Sequence, residues 1–156
     1  MHKKLLSILL LSFVFFGCKK EEDLSLNTER LLTGKWKSTL TMDVIHDMAT
    51  GNEVDHVNYL HGMGTELTLD GKGTANSYDP AFNNTFTHAY SVRVNNQQQY
   101  LTTQLVGLDV TEYQIIGLDA THMRLKGKVL SNVNVTFPDG KNHLAYYERT
   151  EYFEKQ

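Results

Sequence analysis

The sequence predicts an all-β domain: an antiparallel up-and-down barrel of about eight strands, with a two-sheet β-sandwich as the alternative. Three observations carry that prediction. Apolar and polar residues alternate with period two through most of the chain after Leu32, as in strands with one face in a core and one in water. Gly, Asn, Asp and Pro interrupt the alternation at the spacing of hairpin turns. Beyond the apolar run at its start, no window carries a helical period.

The first strand begins near Leu32. Trp36, Ser38, Leu40, Met42 and Val44 share one face by parity, and Lys35, Lys37, Thr39, Thr41 and Asp43 share the other. Residues 46–63 lose the alternation and read as a long loop with a short strand near Val54 to Leu60. Leu67 and Leu69 restart it, Asp70-Gly71-Lys72-Gly73 turns the chain, and Thr74 to Tyr78 returns. After a break at residues 80–85, Phe86, His88, Tyr90, Val92 and Val94 line one face of the next strand. Asn95-Asn96 turns into Tyr100 to Val106.

Tyr113 to Leu118 is rich in β-branched and aromatic residues, and its alternation slips at Ile115-Ile116, which predicts a bulge. Past Asp119-Ala120-Thr121, Met123, Leu125 and Val129 face inward, and Val133, Val135 and Phe137 form a further strand. Pro138-Asp139-Gly140-Lys141 is a tight-turn sequence, because Pro presets φ and Gly accepts a positive one. The last strand runs from Leu144 to Phe153. Since the first and last strands are long enough to pair, and closure removes exposed edges, the barrel is preferred to the sandwich.

Ahead of this domain stands a different kind of segment. His2, Lys3 and Lys4 precede a twelve-residue run, Leu5 to Phe16, that is apolar except for Ser7 and Ser12. A spanning helix needs about 20 apolar residues, so the run reads as a secretory signal peptide over residues 1–17. Phe15-Phe16-Gly17-Cys18 resembles the bacterial lipobox, which implies that Cys18 becomes the acylated (palmitate-bearing) first residue of the mature protein. Residues 18–29 then read as a polar lipidated tether, and residues 30–156 as the barrel domain. One acyl chain binds a membrane only marginally, whereas several anchor it stably. Lys20-Glu21-Glu22 resembles the charged tag that sends some Gram-negative lipoproteins to the cell surface. The expected location is the outer membrane, lipid-anchored, with display at the cell surface.

Losing Lys3 and Lys4 with the signal peptide leaves 13 basic side chains against 18 acidic ones, so the balance moves from −3 to −5. A mildly acidic chain without clustered Lys and Arg is a poor partner for nucleic acid. Cys18 is the single cysteine, so its acylation leaves no thiol for disulfides, thiolate zinc sites or thiol catalysis.

Leu32-Thr33-Gly34-Lys35-Trp36, then Leu67-Thr68-Leu69-Asp70-Gly71-Lys72-Gly73, Tyr113-Gln114-Ile115-Ile116, Leu118-Asp119 and Met123-Arg124-Leu125 follow one another before the aromatic last strand. In order and spacing this set resembles the lipocalin-like lipoproteins of Gram-negative bacteria over roughly residues 30–155. The resemblance implies a barrel closed at one end by Trp36 and open at the other. It also implies that a late Arg or Lys packs on that Trp, and Arg149 is the candidate, in a structural role. The chain departs from true lipocalins in having no disulfide and no clear terminal helix.

Candidate chemistry is sparse. His46, His56 and His61, with Asp43, Asp47 and Asp55, match no recognised metal-ligand spacing and read as loop residues. His88, between Phe86 and Tyr90 in face order, reads as a core or cavity-wall histidine. Glu151 faces opposite to Glu148 and Glu154, so no carboxylate pair for glycosidase chemistry forms there. No Gly-x-Ser-x-Gly elbow exists, and Gly71 and Gly73 belong to a hairpin rather than a phosphate loop. The expectation is therefore a non-enzymatic protein without cofactor or metal that holds a small apolar ligand. Leu40, Met42, Phe86, His88, Tyr90, Val92, Met123 and Leu125 are the expected cavity residues, with the small inward Ser38, Ala75 and Thr103 leaving room. The alternative is a filled barrel that docks an envelope protein or a glycan.

Overall fold

Strands of alternating character bury one face only by curling round it, and here the sheet closes on itself. The computed structural model describes residues 23–60, 64–105, 110–137 and 139–156. Cys18, the signal-peptide segment and His61 lie outside them. Nine strands follow in chain order: β1 Gly34–Asp47, β2 Glu53–Leu60, β3 Glu66–Leu69, β4 Thr74–Asp79, β5 Asn84–Asn95, β6 Gln98–Leu105, β7 Val110–Leu118, β8 His122–Thr136 and β9 Asn142–Lys155. All described pairings are antiparallel, and β1 pairs with β9 to close an eight-stranded up-and-down barrel from β1 and β3–β9. β2 and β3 lie end to end along the other edge of β1, β3 against Gly34 to Lys37 and β2 against Leu40 to His46.

Three local features differ from the sequence expectation. First, residues 23–32, read as mostly tether, form a helix, α1. Leu24, Thr28 and Leu32 recur at the four-residue spacing of one helical face, and Thr28 and Leu32 are buried. A threonine in the middle of that stripe hides it from a hydrophobicity pattern. Second, β1 runs on to Asp47, which replaces the start of the expected loop; Asp47 Oδ1 accepts the Ala49 and Thr50 N–H groups at 2.9 and 2.7 Å and so turns the chain into β2. Third, the two strands expected over 123–137 are one, β8, whose register against β9 shifts between Val129 and Val133. The bulge expected at Ile115-Ile116 is present, with the β7–β8 register shifting between Ile115 and Gly117. Among the described residues no helix is long and apolar enough to cross a membrane.

The core fills the end of the barrel where α1 meets β1. Leu32, Trp36, Leu67, Leu69, Ala75, Tyr90, Leu101, Met123, Leu125 and Phe153 form its buried cluster. Trp36 is fully buried and donates its indole N–H to the Leu32 carbonyl at 2.6 Å, tying helix to strand. The cation on this indole is Lys155, not Arg149. Its Nζ stands 4.9 Å from the ring centroid and donates to the Leu31 carbonyl at 3.1 Å. Gly34 makes that reach feasible, because a Cβ there would come within 2.6 Å of Lys155 Cε. The Gly-x-Trp spacing thus joins one residue that gives way to the lysine and one that receives it.

Candidate functional site

Above this packed end the interior is hollow. A cavity of about 370 Å³ lies between the core and the β4–β5 turn, a volume in the range of small-molecule sites. Its apolar surface comes from Leu67, Leu101, Leu125 and Phe153, all buried. Thr65, Ser77 and Thr103 contribute small side chains, and Asp79, Ala81 and Phe82 line it from the end of β4 and the turn that follows. Phe82 is 74% exposed, so this aromatic ring is both part of the lining and open to water.

One wall is polar and charged: Arg149 and Glu151 from β9, Tyr113 from β7 and His88 from β5. Parity along β9 places Tyr147, Arg149, Glu151 and Phe153 on one face, and Phe153 is buried in the core cluster. Opposite Arg149 in register is Asp43 of β1, only 3% exposed. The two form a forked ion pair, Arg149 Nε to Asp43 Oδ1 and Nη2 to Oδ2, both at 2.8 Å. Those hydrogen bonds hold the guanidinium protonated against the opposing effect of burial.

The other polar groups of this wall lack such partners. No hydrogen bond or ion pair joins Glu151 to another described side chain. Burial pushes its carboxyl pKa up, and the nearby Arg149 only partly offsets that. The Tyr113 hydroxyl is likewise pushed up by burial and by the charge of Glu151. Burial lowers the pKa of His88, whose Nδ1 has no partner among the described residues. The ring of Tyr113 lies directly over Gly127, where a Cβ would come within 2.6 Å of it. Glycine at that β8 position keeps the ring flat against the wall rather than across the cavity.

Of the eight residues expected to line a cavity, His88 and Leu125 line this one. Tyr90 and Met123 belong to the packed core beneath, and Val92 packs against it. Phe86 has the inward parity but stands 38% exposed and outside the lining. Leu40 and Met42 point away from the interior. Ser38 pairs with Phe153 but Leu40 with Tyr152, so Thr39 is an extra residue that exchanges the faces of everything after it. Buried positions in β1 accordingly pass from Trp36 and Ser38 to Thr41, Asp43, Ile45 and Asp47. That exchange brings Asp43 to Arg149.

No protein-family model matches this chain, and no curated protein matches it significantly. What its site can do follows from the cavity itself. A closed base, an apolar floor and a short polar wall can hold a compact molecule by its hydrocarbon body and fix it by one polar end. The sequence separated Glu151 from Glu148 and Glu154 by face but did not assign it to the cavity. Tyr113, Leu101 and Phe153 were not assigned to a cavity there, and Asp43 was placed on the outer face; the parity of β9 gives Phe153, whereas Asp43 needs the bulge.

Proposed function

We propose that this protein is a lipid-anchored, lipocalin-like carrier of the cell envelope that binds one small, largely apolar molecule with a polar end. Cys18 bears the anchor after removal of residues 1–17, in the outer membrane. The observation that supports carriage most directly is the hollow upper half of the barrel. Alternating inward side chains can fill a barrel of this size completely, and at its lower end they do. Where the small Ser77 and Thr103 line the wall, the space stays open, and a filled barrel that only docks another protein has no use for it.

Native mass spectrometry of the protein from its own host tests carriage. A co-purifying small molecule is the expected result, and repeated absence of one sinks the proposal. The anchor has a separate test. Cys18→Ser is expected to abolish acyl labelling and release the protein from membranes, and a variant that stays membrane-bound without label refutes the lipobox reading.

A further inference from the structure

The cavity lining carries carboxylates that no cation in it neutralises. Arg149 and Asp43 pair through Nε and Nη2, so the guanidinium charge on this wall is already balanced. Glu151 lines the same wall without a hydrogen bond or ion pair to any described side chain, and Asp79, a second carboxylate, lines the cavity from the end of β4. Glu151 is half-buried, and its carboxylate offers an open acceptor and a charge at the wall of an otherwise largely apolar space.

We infer that the cavity selects apolar amines, with a protonated amine seated on the Glu151 carboxylate and a hydrocarbon or aromatic body on Leu101, Leu125 and Phe153. This rests on reading the cavity as a ligand site. Other ligand chemistries fit the same wall less well. A carboxylate ligand meets Glu151 and Asp79 as like charges, and the charge of the one guanidinium is already balanced by Asp43. A neutral hydrocarbon makes no use of the Glu151 carboxylate. An amine supplies both donor and counter-charge, and the Tyr113 and Phe153 rings in the lining offer π-faces that tolerate a cation.

Three probes of equal chain length separate these cases: octylamine, octanol and octanoate, titrated calorimetrically into the full-length protein held in lipid nanodiscs. Octylamine is expected to bind at least about tenfold more tightly than octanol, and octanoate more weakly than either. In Glu151→Gln the amine is expected to fall to the level of the alcohol, with octanol changed by less than about twofold. Octanol or octanoate binding the wild type as tightly as octylamine overturns the inference and leaves the carrier reading standing. So does an amine preference that survives in a folded Glu151→Gln protein. Failure of all three probes to bind removes the cavity reading itself. The ranking on the wild type decides the matter even if the variant does not fold.

Discussion

The two ends of the barrel are built from the same strands and solve opposite problems. At the α1 end, Trp36 is sealed by Leu32 beneath it and Lys155 over it, and the indole N–H has a carbonyl to bond. At the mouth, Arg149 is balanced by Asp43, but Glu151 two residues further along β9 is left unpaired. One end spends buried area on stability; the other holds an unsatisfied carboxyl that the first must support. A strand can serve both because its inward positions are independent in volume and polarity once parity is set. On β9 they run from apolar Phe153, through Glu151, to charged Arg149 within five residues.

Breaking the sealed end should cost most. Trp36→Ala removes the largest buried side chain along with the surface on which Lys155 rests, and is expected to destabilise by about 3–5 kcal/mol in urea unfolding. A loss under about 1 kcal/mol would mean that this end is not the anchor of the fold. Asp43→Asn comes next, at about 2 kcal/mol, because a largely buried guanidinium keeps its charge but loses its carboxylate. The same change releases the Arg149 fork toward the cavity, so octanoate should gain affinity as stability falls. If octanoate binding does not change, the ion pair is purely structural.

The mouth can also be read through pH. The Glu151 carboxyl titrates above its ordinary 4.5 in the folded protein because burial disfavours its charge. Below 4.5 the group is protonated in both states and costs nothing. As pH rises past 4.5 the unfolded chain gives up this proton first, so stability falls until the folded value is passed. Glu151→Gln removes that fall. Its melting temperature relative to wild type should therefore climb from about pH 4.5 upward, as differential scanning fluorimetry across pH would record. A flat difference would place Glu151 in water. The smallest effect belongs to Lys155→Met, about 1 kcal/mol from the lost cation–π contact and carbonyl bond, seen as a change in Trp36 fluorescence with the barrel intact.

Most of the barrel was legible in the sequence because period-two alternation and turn chemistry are local. The Asp70, Asp119 and Asp139 turns illustrate this: each carboxylate accepts backbone N–H groups two to four residues on, within the same short segment. The bulge at Ile115-Ile116 was visible because two apolar residues fell side by side. The bulge at Thr39 was not, since polar Thr39 and apolar Leu40 keep the alternation unbroken while the register against β9 shifts. Leu40 and Met42 were placed inward and Asp43 outward for that reason. Arg149 was assigned to Trp36 because it shares a strand face with Tyr147 and Phe153, yet Lys155 is the residue whose stem passes over Gly34.

Closure by β9 has a consequence for how the chain comes together. Lys155 for Trp36 and Arg149 for Asp43 both arrive on the final strand, the latter across a separation of 106 residues. Neither the seal nor the ion pair exists before that strand docks, and until then β1 presents an unpaired edge open to other chains. Folding dominated by such distant pairings is slow, on the order of milliseconds to seconds, and exposed to association meanwhile. Truncation ahead of Asn142 would therefore leave not a smaller barrel but an open curl of sheet with its tryptophan uncovered and its buried aspartate unanswered.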